Sequence, residues 1–357
     1  MPNKAKHHFL FFLGHPAHFH MFRPMICELK SHEHCVSIIA RPKDVLIDLL
    51  EASGFEYHCV PGGQRKPGLF GILQNLLQKA LFLNAYCRKN KPDIMLGTSA
   101  EIAWIGRLRS IPAYVFSEDD AAVIPGFAWL AYPFAHAVVS PEGCNNGLWQ
   151  KKTLSYPGYQ KLAYLHPARF KPDKGIKDHY IPNDKPYSLL RFSSLLAHHD
   201  TGASGFTTET ARRTIEILSQ KGMVFISSER QLEPEFEPYR LKIHPEDMHH
   251  VLAYASLFAG DSQSMTVEAA LLGIPAFRLS SFKGKISVLE ELEHRYQLTF
   301  AFDPKHPEDF YQQITRFAFD SNTSALFDQG RQKLLKDKGD VTSFYLKMAF
   351  AALEKNA

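Results

Sequence analysis

Cysteine pairs, clustered charge and long apolar runs are all missing from this sequence, and each absence narrows what the chain does. Its five cysteines, Cys27, Cys35, Cys59, Cys87 and Cys144, are odd in number and widely spaced, with no C-x-x-C pair. Neither a disulfide framework nor a cysteine-bound zinc site is expected, which fits a reducing cytoplasm. Lys and Arg number 41 against 37 Asp and Glu, a net charge of +4, and no basic block appears. Nucleic acid, which calls for a concentrated cationic stripe, is not an expected partner. No window holds the roughly 20 apolar residues of a membrane span, and the first residues lack the apolar core and cleavage site of a secretory signal. No D-x-D triplet is present to hold a divalent ion beside phosphates. No metal and no bound cofactor are expected.

What is present is a folded α/β chain of 357 residues, 45% hydrophobic and 22% charged, long enough for two cores of ordinary size. Short apolar runs at 8–13, 36–40, 55–60, 94–97, 113–116 and 137–139 alternate with helical patterns, which predicts a parallel, doubly wound sheet. A second series begins at 187–192 and continues at 223–227, 241–243 and 257–260; the residues after 285 read as helices. The Pro-, Lys- and Asp-rich stretch 172–186 has a linker composition. The predicted domains are 1–170, 171–335 and a helical tail, 336–357.

The second half is organised around 257–277, LFAGDSQSMTVEAALLGIPAF. It reads as a strand ending at Gly260, a polar turn over 261–264, a helix stopped by Gly273 and a new strand after Pro275. The first N–H groups of a helix lack intrahelical partners, and the helix dipole favours negative charge there. With the hydroxyls of Ser262 and Ser264 added, the turn suits a phosphate. One turn on, the carboxylate of Glu268 can accept from the two vicinal hydroxyls of a ribose. A plain capped helix with Glu268 at its edge is the alternative.

The pattern Asp261-Ser262-x-Ser264-Met265-x-x-Glu268-Ala269-Ala270-x-x-Gly273-x-Pro275 resembles the nucleotide-sugar motif of the GT-B glycosyltransferase and UDP-N-acetylglucosamine 2-epimerase superfamily. It is closer still to the DUF354 proteins, which Tyr156-x-Gly158-x-x-Lys161-Leu-Ala-Tyr-Leu-His-Pro167 also resembles. The resemblance implies a GT-B fold, two Rossmann-like parallel-sheet domains facing across a cleft, with the last helix returning to the first domain. It places the diphosphate at the 261–264 turn and the ribose on Glu268. Ser228 and His244 then end the two edges flanking the nucleotide.

Other candidates come from the turns after strands, where open parallel sheets bind ligands. Gly14-His15-Pro16-Ala17-His18 follows the first strand. Imidazole ordinarily titrates near neutrality, so His15 and His18 are candidates for acid/base work or a phosphate contact; capping the helix is the alternative role. Where the epimerases carry G-T-R-P-E, this loop has neither the Arg nor the Glu, which argues against epimerisation. Glu118, Asp119 and Asp120 follow a later strand, Asp119 as a candidate base for an acceptor hydroxyl, though acidic residues also start helices for dipole reasons. Arg191 offers a fork of donors to phosphate. Ser193 opens a Gly/Ser-rich loop in which His199 and Asp200 form a candidate imidazole–carboxylate pair. His249 and His250 are placed on the polar side of a helix over 245–255. Lys283 sits in a basic loop able to neutralise a leaving group.

The apolar helix expected over 68–86, followed by Arg88, Lys89 and Lys91, either packs on the sheet or lies in a membrane interface beside anionic lipid. These features point to a cytoplasmic, metal-independent glycosyltransferase of surface polysaccharide biosynthesis, working at or near the inner face of the membrane. The expected donor is a nucleoside diphosphate sugar, UDP-linked, and the expected acceptor a glycan or lipid-linked acceptor. A UDP-sugar 2-epimerase or hydrolase, or a non-catalytic nucleotide-sugar-binding protein, is the alternative. Oligomeric state is not legible.

Overall fold

In the first strand, β1 (His8–Leu13), Phe9 to Leu13 are each at most 2% exposed. A parallel strand covered on both faces has that composition. The computed structural model describes residues 6–43, 45–61, 68–193 and 205–354, with backbone alone at 68–70, 72 and 73. The chain divides into two compact units, Met1–Tyr164 with Asp340–Ala357, and Leu165–Gly339.

In the first unit β1 is followed by α1 (Pro16–Ser31), β2 (Cys35–Ala40), α2 (Leu46–Ala52), β3 (His58–Cys59) and α3 (Gly68–Asn90). Next come β4 (Ile94–Gly97), α4 (Ala100–Arg109), β5 (Ala113–Phe116), α5 (Pro125–Ala131), β6 (Ala137–Pro141), β7 (Thr153–Tyr156) and α6 (Leu162–Leu165). The sheet order is β3-β2-β1-β4-β5-β6-β7, every pair parallel. Because β1 to β3 run out one way and β4 to β7 the other, right-handed crossovers put α1 and α2 on one face and α3 to α5 on the other.

The second unit begins with α7 (Lys174–Tyr180), β8 (Tyr187–Phe192), α8 (Thr208–Ser219), β9 (Met223–Ser228) and α9 (Met248–Leu252). It continues with β10 (Leu257–Gly260), α10 (Gln263–Leu272), β11 (Ala276–Leu279), α11 (Ser287–His294), β12 (Thr299–Phe302), α12 (Glu308–Phe319) and α13 (Thr323–Asp337). Its sheet order is β12-β11-β10-β8-β9, again all parallel. The last helix, α14 (Val341–Glu354), lies in the first unit. There Thr342 Oγ1 donates to Ala163 O at 2.7 Å, and the Tyr345 and Tyr156 hydroxyls meet at 3.1 Å, both rings buried.

Four sequence expectations are corrected. The strand read over 55–60 shrinks to His58–Cys59. The strand read at 241–243 is absent: three-ten turns occupy Pro234–Tyr239 and Pro245–Asp247, and only a bridge between Ile226 and Arg240 forms. The linker-like 172–186 lies inside the second unit and contains α7, whose buried Lys177 donates to Ile181 O and Asn183 O. The all-helical reading after 285 missed β12, whose four residues are too few for periodicity to register.

Candidate functional site

At the carboxyl edge of the five-stranded sheet, β10 ends in Gly260 and α10 begins three residues later. Ser262 caps α10, its Oγ accepting from Met265 N–H at 3.4 Å and its carbonyl from Thr266 Oγ1 at 2.7 Å. The N–H groups of Gln263 and Ser264 have no partner among the described residues, so this end of the helix keeps donors for an anion. Met265 to Leu272 are all buried, and Gly273, at φ +80°, turns the chain into β11. A Cβ there would also lie 2.9 Å from Arg331 Cδ.

Asp261 behaves differently from the phosphate-turn residue read in the sequence. Its buried carboxylate faces its own chain, accepting from Ser193 N–H at 2.6 Å, Ser193 Oγ at 2.9 Å and Phe206 N–H at 3.2 Å. Burial raises its pKa, while those hydrogen bonds and the Arg230 charge pull the other way. Asp261 therefore pins both ends of the segment between β8 and α8 to the turn. Gly205 permits the approach, since a Cβ there would fall 2.5 Å from Asp261 Oδ2. His199 and Asp200 lie in that segment, outside the described residues.

Register in parallel strands places Arg191, Gly260 and Arg278 side by side on one face of the sheet. Arg191 Nη1 donates to Ser227 Oγ at 2.5 Å and Nη2 pairs with Glu229, so a phosphate would share a guanidinium already engaged. Arg278 is 1% exposed, and its Nε and Nη1 have no hydrogen-bond partner among the described residues. Burial pushes its pKa down to about 10, with Glu293 and Glu290 opposing. Arg230 Nη2 donates to Phe206 O at 3.0 Å and its guanidinium lies 5.1 Å from the Phe192 ring centre. Three arginines thus border this edge.

Glu268 is buried inside α10, its Oε1 3.3 Å from Nε2 of His249 on α9. That corrects the solvent-facing position read for His249, whose ring is buried; His250 accepts from Asp173 N–H at 2.9 Å. Of the remaining candidates, Ser228 Oγ closes its own turn against Arg230 O at 2.7 Å, and His244 is exposed, its N–H on the Tyr180 hydroxyl at 3.3 Å. Lys283 is exposed, its Nζ 6.0 Å from the Phe302 ring centre.

In the first unit the loop after β1 is a paired-histidine turn. His15 caps α1, its Nδ1 accepting from Ala17 N–H at 3.2 Å. His18 Nδ1 accepts from Gly14 N–H at 3.1 Å, and Thr98 Oγ1 lies 2.7 Å from Nδ1 and 2.9 Å from Nε2 of the same ring. A ring nitrogen that accepts cannot carry the proton, so in both rings the hydrogen sits on Nε2. Burial, then the charges of His15, Lys43 and Lys161, push the His18 pKa down to about 3. His18 is therefore a neutral ring that donates from Nε2 at neutral pH, which departs from the general-base reading. Glu118 pairs with Lys161, and Asp120 Oδ1 accepts from Asn145 N–H at 2.6 Å, while Asp119 is half-buried.

Sequence reasoning missed Arg278 and Arg230, and gave no site role to His249 or Lys161. Only Arg278 carried a legible signal, a charge inside the apolar run Ala276–Leu279.

Two parallel-sheet α/β units with these strand orders define the GT-B fold. No family model matches the chain, and no curated protein does. Among solved structures it is similar to a putative UDP-N-acetylglucosamine 2-epimerase from Listeria monocytogenes, at TM-score 0.67 and 13% identity over 99% of this chain and 97% of that one. It is similar to the glycotransferase of kitacinnamycin at TM-score 0.64 and 14% identity, over 98% and 100%. The calicheamicin glycosyltransferase CalG4 matches at TM-score 0.63 and 13% identity, over 99% and 100%. At these identities the likeness speaks for the fold, and the chemistry has to be argued from the residues.

Proposed function

We propose that this protein is a metal-independent glycosyltransferase that moves a sugar from a nucleoside diphosphate sugar, UDP-linked, to a glycan or lipid-linked acceptor in surface polysaccharide biosynthesis. The observation that carries the reading is the amino end of α10, with two N–H donors and the Ser262 and Ser264 hydroxyls beside three arginines. Charge grows on the diphosphate as the glycosidic bond breaks, and donors fixed in advance stabilise that charge more than the ground state. Glu268 takes the ribose, with His249 holding its carboxylate. In the first unit Asp119 takes the acceptor proton, and His15 donates from Nε2. The motifs at 156–167 and 261–275 support a place among the DUF354 proteins.

Thermal denaturation with nucleoside diphosphates tests the donor site. UDP at a hundredfold excess over Kd stabilises by about 2.7 kcal/mol. Glu268→Gln, which keeps the shape of the buried side chain, should remove most of that shift, and EDTA should leave it intact. No shift with any nucleoside diphosphate would end the proposal. NMR of a UDP-sugar incubated without acceptor separates the rival: epimer or free sugar appearing there favours epimerase or hydrolase chemistry.

A further inference from the structure

The outer surface of the α3–α4–α5 layer has no role in donor chemistry, yet it holds most of the large exposed apolar side chains among the described residues. Leu77 and Leu81 on α3, Leu108 on α4, Trp129 on α5, Phe134 just after it and Leu148 are 46–80% exposed. Leu148 and Trp149 lie in the three-ten turn Gly147–Lys152.

These side chains belong to one surface because the elements are stitched side by side. Arg109 Nε on α4 donates to Asn84 Oδ1 on α3 at 2.8 Å. Trp104 Nε1 on α4 donates to Leu130 O on α5 at 2.7 Å. The Trp129 and Trp149 rings meet at 5.1 Å, and Lys152 Nζ donates to Pro133 O at 2.9 Å. The opposite faces of the same helices are filled by Ala80, Leu83, Ile102, Ala103, Ala128 and Ala131, so the outer apolar residues are surplus to the core.

Charge on this surface has a single sign. Across 68–90, 100–109, 125–136 and 147–152 the only carboxylate is Glu101. It is buried, 3.4 Å from Lys79. Arg88, Lys89, Arg107, Arg109 and Lys151 are exposed around the apolar residues. A second copy of the chain would bring these cations against themselves with no carboxylate to pair them. Nucleic acid would satisfy the cations and leave the leucines in water.

We propose that this surface docks on an anionic lipid bilayer, with Trp129, Phe134 and Leu148 entering the headgroup–acyl boundary and the Arg and Lys residues on the lipid phosphates. Trp and basic residues occupy these depths in membrane interfaces generally. Each Lys or Arg near an anionic surface contributes about fivefold in partition. The inference stands apart from the nucleotide chemistry, and the apolar variants should keep their UDP thermal shift.

The test is co-sedimentation of the full chain at low salt with phosphatidylcholine vesicles, with and without phosphatidylglycerol, alongside tryptophan emission. Binding should require phosphatidylglycerol, weaken as salt rises and shift emission to the blue through Trp129. The pairs Trp129→Ser with Leu148→Ser, and Arg107→Glu with Lys151→Glu, should each lower partition more than tenfold while leaving the unfolding midpoint unchanged. Failure to bind the anionic vesicles, or equal binding by both variants, overturns the proposal. So does a concentration-dependent dimer that Trp129→Ser with Leu148→Ser abolishes, which would assign the surface to a second copy.

Discussion

The neutral His18 ring makes a prediction with a defined sign. Its folded pKa is lowered from 6.5 to about 3, so between those values the unfolded chain binds a proton that the folded chain refuses. The first unit therefore loses stability as pH falls below 6.5 and regains it on return to neutrality. Above 6.5 both states are neutral and the term vanishes. From pH 6.5 to 5 the loss from this one ring is at most about 2 kcal/mol, at 1.36 kcal/mol per unit. Solvent at the rim of the half-buried loop screens the neighbouring lysines, so this figure is a ceiling. His18→Asn keeps an acceptor for Gly14 N–H and removes the titration. All three tryptophans, Trp104, Trp129 and Trp149, lie in the first unit, so urea unfolding followed by tryptophan fluorescence reads that unit alone. The wild-type chain should lose stability more steeply than His18→Asn as pH is lowered through this window. Parallel curves, or a His18 ring that titrates near 6.5 by NMR, would refute the assigned tautomer and the burial behind it.

Two further outcomes follow from the second unit. Asp261→Ala strips acceptors from the Ser193 and Phe206 N–H groups and should destabilise this unit by about 3 kcal/mol, measured by urea unfolding under circular dichroism; a change below about 1 kcal/mol would mean that the carboxylate does not anchor the 193–206 segment. Arg278→Met removes a buried charge whose Nε and Nη1 have no hydrogen-bond partner among the described residues and should stabilise on the order of 1 kcal/mol while weakening UDP binding; a variant that is less stable, or that binds UDP as before, contradicts a ligand-directed role.

The α/β alternation and the two sheets were legible in local pattern. Runs such as Phe9–Leu13 or Leu257–Gly260 are buried on both faces, and burial on both faces leaves an unbroken apolar signature that needs no knowledge of neighbours. The α10 turn was legible for the same reason: its cap, its first N–H groups and its Gly273 stop are properties of adjacent residues. Orientation was not. Asp261 looked like part of a phosphate cradle until the fold brought Ser193 and Phe206, 68 and 55 residues away, onto its carboxylate. His249 looked solvent-facing until α9 met α10, and His18 looked like a base until Gly14 N–H and Thr98 occupied its ring. Side-chain partners, and with them tautomers and ionisation, depend on which strands become neighbours, and only the tertiary structure decides that.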